Sequence, residues 1–198
     1  CLEISRLTTD PVGEMRANHH LGLAYQRLKN MDMAITYHTH HYDLVVAGQK
    51  ACDEGAAEAL DQETLDKELV AASFELNKMY KTKAEKLEST QKLSEALVLY
   101  ERGLEAAKNT NDETTIGQAN YRLGRAFILA EDPSAALPFL ELYRDACIES
   151  GEREGQGQAF SALAAAHQKL ERTDEAVACL REYLKIAKDT DDLTAQAE

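Results

Sequence analysis

Tryptophan is absent from these 198 residues, proline occurs three times, and the four cysteines (positions 1, 52, 147 and 179) form no C-x-x-C pair. Each scarcity excludes something. So few prolines, in a chain dominated by Ala, Leu, Glu and Lys, leave helix the favoured state nearly throughout. Scattered single cysteines argue against a disulfide framework and suit a reducing compartment, with the thiols packed as small core residues. No apolar run approaches the roughly 18–20 residues that a membrane span needs. No signal peptide is visible, although Cys1 opens in mid-pattern and the natural N-terminus is expected upstream. With 22 basic against 35 acidic residues the net charge is −13, which speaks against general nucleic-acid binding but leaves room for a local basic surface.

What is present is repetition. The stretches LGLAYQRL (21–28), LGRAFILA (123–130) and LAAAHQKL (163–170) share a leading Leu, a small residue after it, and an aromatic or His four residues on. Thirteen residues after each leading Leu stands an alanine (Ala34, Ala136, Ala176), followed three further on by Tyr37, Phe139 or Cys179. Leu123 to Leu163 is 40 residues. A fourth copy is expected in FELNKMY (74–80), with Leu76 leading, Tyr80 as the aromatic and Ala96 as the alanine. Fitting it requires seven extra residues inside the copy and 15 before it. This reading expects two long helices that project from the array and turn near Lys86–Gln91. The phase divides the chain into the end of one repeat (1–8), a repeat at 9–47, one with insertions at 48–110, repeats at 111–150 and 151–190, and the start of another at 191–198.

Each copy reads as a helix pair, A then B. Asp10-Pro11 and Asp132-Pro133 put a cap before a first-turn proline, and Thr173-Asp-Glu opens the last B helix. Pro138, in the second turn of its helix, is expected to bend it slightly. No pair can bury its apolar face alone, so neighbours stack. The expected fold is all-α: a right-handed superhelix of antiparallel helix pairs, with one repeat lengthened into a projecting helical hairpin.

These motifs resemble the tetratricopeptide repeat, carried here by Leu-Gly at 21–22 and 123–124, by Tyr25, Tyr80 and Phe127, and by the four alanines. The tryptophan of that pattern is missing and its late proline is mostly absent. The order of the irregular stretches, from AITYHTHHYDLV through LVAASFELNKMYKTKAEKLESTQKLSEALVLYERGLEAAKNTND to YRLGRAFILAEDPSAALPFLELYRDACIES, is similar to tetratricopeptide-repeat proteins of the motile cilium. That resemblance implies a non-enzymatic scaffold of the ciliary or flagellar axoneme, joined to axonemal dynein or doublet-microtubule-associated chains and required for beating. A soluble cytoplasmic adaptor for transport or assembly of motor complexes is the alternative. Neither reading calls for nucleic acid, a membrane or a cofactor.

In this repeat family, helix A lines the inner groove through positions 5 and 2 before the leading Leu and 2, 5 and 6 after it. Among the 20 positions so chosen six are Lys or Arg and none is Asp or Glu, whereas 35 acids in 198 residues would place about 3.5 there. The expected groove residues are Arg16, His19, Arg27, Phe74, Lys78, Lys81, Tyr121, Arg125, Gln158 and Lys169. They suit an acidic, extended or helical segment, with Tyr121 and Phe74 as apolar anchors. The Asn-bearing clamp by which chaperone adaptors of this fold grip a terminal carboxylate is missing. Lys83 and Lys86 are expected at the hairpin tip, where they could touch a negatively charged lattice. His38, His40 and His41 crowd one stretch, but His38 and His41 lack a carboxylate on their face, so they read as packing residues rather than metal ligands. No nucleophile, base and orienting acid converge, and no catalytic residue is assigned.

Overall fold

The computed structural model describes residue 3, residues 10–55 and residues 61–189. Residues 10–55 and 61–189 form eight helices: α1 Pro11–Arg27, α2 Met31–Asp53, α3 Gln62–Ser89, α4 Leu93–Lys108, α5 Glu113–Leu129, α6 Pro133–Ser150, α7 Arg153–Lys169 and α8 Thr173–Asp189. No strand occurs among the described residues. The repeat fragments assigned to 1–8 and 191–198 lie outside the description, Glu3 apart.

Helix starts follow the caps written in the sequence. Asp10 and Asp132, each ahead of a proline, accept from Gly13 N at 2.9 Å and from Ala135 N at 3.1 Å. Asn30, Asp61 and Asp112 do the same for α2, α3 and α5. Pro138 sits inside α6, which runs unbroken to Ser150. Each A helix turns into its B helix through a residue with left-handed backbone: Lys29, Gln91, Glu131 and Glu171, all with φ between 56° and 61°.

Those four turns give the repeat its true ruler. Gln91 to Glu131 and Glu131 to Glu171 are each 40 residues, while Lys29 to Gln91 is 62, an excess of 22. All of it therefore lies before the Gln91 turn, in one block. The core agrees. Gly22 and Ala34, Gly124 and Ala136, and Ala164 and Ala176 stand 12 apart, and so do Ala84 and Ala96. Ala84 and Ala96 are both buried, in one cluster with Tyr100, Leu104 and Leu123. The small residue of the second pair is thus Ala84, not Asn77. Leu76 and Tyr80 instead pack with Ala106 against Ile35 and Tyr42 of α2. Leu87, packed with Leu99 against that core, stands where Tyr25 stacks on Tyr37 and Phe127 on Phe139.

The extra length falls on the end of α2 and the start of α3. Matching Glu113 to Ser73 leaves eleven added residues, Gln62 through Ala72, at the front of α3, about three turns or 16 Å. Val45 of α2 and Leu65 of α3 close on Met15 of α1, and Gln49 Nε2 donates to Asp66 Oδ1 at 3.0 Å. A Cβ on Gly48 would stand 2.8 Å from Leu65 Cδ2, so these helices approach closely. The lengthened hairpin is made by the end of α2 and the start of α3, and the bend at Thr90–Lys92 is an ordinary A-to-B turn.

Candidate partner-binding surface

The A helices line two cavities with the cationic and aromatic side chains picked from sequence. The larger, about 810 Å³, lies among α5, α7 and α8, and Tyr121, Arg125, Gln158 and Ser161 border it. Tyr121 rests on Tyr143 with ring centroids 4.8 Å apart, and the Arg125 guanidinium stands 5.8 Å over the Tyr121 ring. Tyr143 is buried; its hydroxyl accepts from Gln118 at 3.1 Å and donates to Gln158 at 3.2 Å, so one phenol sets two groove amides. Ile128, which the sequence rule also selects, lines this cavity, as do Arg153 and Tyr183, which the rule missed. Tyr183 belongs to a B helix, which a rule confined to A helices passes over.

The smaller cavity, about 210 Å³, lies between α3 and α5. Phe74, Lys78 and Lys81 meet there with Gln118 and with Arg122, which sequence reasoning also missed. Arg122 precedes a leading Leu directly, a position outside the rule. Lys78 pairs with Glu75 at 3.6 Å and Lys81 with Glu85 at 3.9 Å.

The remaining candidates are dispersed. Arg16 and Arg27 are exposed on α1 and border neither cavity. Lys169 reaches back to Glu131, 2.8 Å away, and is held by that turn. Moving the second repeat's phase to Ala84 also brings Glu85, Glu88 and Ser89 to groove positions in place of Ala71, Phe74 and Thr82. The acid-free groove expected from sequence therefore carries two glutamates, and Glu88 accepts from Tyr100 Oη at 2.9 Å. Lys83 and Lys86 are not at the tip of the long hairpin. Lys83 bridges to Asp32 at the start of α2 at 2.6 Å. Around the lengthened hairpin, residues 49–55 and 61–72 hold six acids and two lysines, so the projecting end is acidic.

The histidines take up repeat positions. His38 occupies the place of Leu140 in α6 and His41 that of Tyr143; both are fully buried. A Cβ on Gly22 would lie 2.6 Å from the His38 ring, just as one on Gly124 would lie 2.7 Å from Leu140. His19 stacks edgewise on His41 at 5.2 Å, mirroring Tyr121 on Tyr143. The Gln26 amide nitrogen lies 2.7 Å from His38 Nε2 and donates to Glu75 Oε2 at 2.7 Å. An amide NH₂ only donates, so His38 Nε2 is the unprotonated nitrogen. Burial pulls the His38 pKa down to about 4 against the opposing pull of Glu75. His41 is lowered by burial and by His19, with Glu68, 3.2 Å from its Nε2, opposing. Among the described residues no three His, Cys, Asp or Glu side chains converge to hold a metal ion. Burial raises the Cys147 and Cys179 thiols, which keeps them protonated. No described helix is long and apolar enough to cross a membrane.

Comparison with known proteins points one way. The tetratricopeptide repeat family model matches residues 16–37 and 157–190. Tetratricopeptide repeat protein 29 of Macaca fascicularis is 26% identical over 193 residues, and that of Homo sapiens is 24% identical over the same length. Both matches cover 95% of this chain, which spans 38% of the length of either relative. The fold is shared with aspartyl phosphate phosphatase F from Bacillus subtilis (TM-score 0.58, 14% identity, 94% of this chain and 43% of that one). It is shared too with the apo form of RapI (TM-score 0.60, 16% identity, 95% and 46%).

Proposed function

We propose that this chain, a solenoid of tetratricopeptide repeats, is a non-enzymatic scaffold of the motile cilium and flagellum, associated with axonemal dynein and required for beating. The observation that supports the ciliary placement is the likeness to tetratricopeptide repeat protein 29, which spans 95% of the chain. The scaffold role rests on the fold: stacked helix pairs present an inner wall, and here that wall carries a cavity bordered by Arg125 over Tyr121. An acidic, extended or helical segment of a dynein or doublet-microtubule-associated chain is the occupant this wall suits.

Salt extraction of demembranated cilia tests the placement. An axonemal scaffold stays with the detergent-resistant fraction and leaves at high salt together with the dyneins or the microtubule proteins. Release into the detergent supernatant would instead support a soluble cytoplasmic adaptor that delivers or assembles motor complexes.

A further inference from the structure

We infer that the 210 Å³ cavity between α3 and α5 is a binding site for a phosphorylated serine or threonine side chain of a protein partner. Asn77 decides the ligand chemistry. It lines this cavity, is only 6% exposed, and its Nδ2 has no hydrogen-bond partner among the described residues. An unmade hydrogen bond on a buried amide is costly, and a ligand oxygen that reached Nδ2, which is closed to solvent in this structure, would make it. Lys78, Lys81 and Arg122 surround the same space, three cations without a tight counter-ion. The Glu75 and Glu85 contacts, at 3.6 and 3.9 Å, are longer than charge-assisted hydrogen bonds, and Glu75 is also engaged by Gln26. Arg122, itself half-buried, has no acid within 4 Å among the described residues, although Glu85 lies near enough to oppose the effect of its burial. A carboxylate offers one charge and two oxygens to this set. A phosphomonoester offers nearly two charges and three terminal oxygens, which suits two ammonium groups, a guanidinium fork and an amide donor. Phe74, 47% exposed at the rim, gives the neighbouring partner residue an apolar contact.

The inference rests on reading the inner wall as partner-binding, and it can fail separately. Fluorescence anisotropy of the full chain with peptide pools centred on phosphoserine or phosphothreonine should show binding at least tenfold tighter than to matched Ser, Thr or Glu pools. Inorganic phosphate should compete where chloride at equal ionic strength does not. Lys78→Gln with Lys81→Gln, and Arg122→Gln, should each lose tenfold or more. Asn77→Leu should also lose binding, while its melting temperature does not fall, because it removes a buried amide that bonds to nothing. Equal affinity for the Glu pools, unchanged binding by the Asn77 or lysine variants, or retention only on phosphoinositide vesicles would overturn the assignment. A chain that stays in axonemes yet ignores phosphopeptides refutes this site alone. One that binds them but is absent from axonemes refutes the ciliary placement.

Discussion

At the residue scale the histidines show how a core position can acquire a pH dependence. His38 fills the slot that Leu140 fills in α6, so it is buried neutral between Gly22 and Gln26. Its folded pKa, about 4, lies below the value of about 6.5 in the unfolded chain. Between those values the unfolded state binds a proton that the folded state refuses, so stability rises with pH through that window. It is fully present above pH 6.5 and lost on acidification toward 4. The groups facing the imidazole are Glu75, which favours its charge, and His19, His41 and Lys78, which oppose it. The slope this histidine can add is at most about 1.4 kcal/mol per pH unit. His38→Leu should flatten the decline in urea midpoint between pH 7 and pH 5 while leaving the helical content intact. His40, from the same cluster of letters, is exposed.

At the scale of elements the lengthened hairpin holds most of the difference between sequence and structure. The repeat pattern and the helix starts at Asp10-Pro11, Asp132-Pro133 and Thr173 were legible, because small residues, proline and Asp at fixed offsets carry direct steric and hydrogen-bonding consequences. The phase of the second pair was not. Leu76 and Tyr80 imitate the leading Leu and its aromatic, but they face α2 and Ala106. The pair that closes the repeat, Ala84 and Ala96, is preceded by Lys83, whose charge hid it. Of the groove, Tyr121, Arg125 and Gln158 were found together because their repeat is regular, whereas Arg122 and Tyr183 belong to positions that only neighbouring helices define. The hairpin itself is pinned by Leu65 against Met15 and Val45. Leu65→Ala should cost about 2–5 kcal/mol in local opening free energy. Hydrogen exchange should then speed up across 49–72 and remain slow in α5–α8, since stacked repeats stabilise their nearest neighbours. Uniform acceleration along the chain would contradict this.

At the scale of the molecule the charge is divided by side. The chain carries −13 overall and its projecting end is acidic, whereas the inner wall sets Lys78, Lys81, Arg122 and Arg125 among Glu85, Glu88 and Glu154. The acidic segment proposed for that wall would be held by those four cations and repelled by the hairpin. Arg125 is exposed and stacked only on Tyr121, so Arg125→Glu should change stability by no more than about 0.5 kcal/mol. It should nevertheless weaken capture of the acidic segment proposed as partner and reduce its salt dependence, both read by co-precipitation across a potassium chloride series. Capture that is unaltered would leave the larger cavity without a role.

The eleven residues added to α3 amount to almost a whole number of helical turns. The azimuth of the added stretch is therefore inherited from the ordinary helix behind it, and Leu65 points where the pre-existing seam can receive it. A single codon gained or lost ahead of Ser73 would swing the outer turns by about 100°, unseating Leu65 without disturbing anything downstream. Growth of this arm is quantised: steps of seven or eleven residues keep its dry side dry, and most others do not.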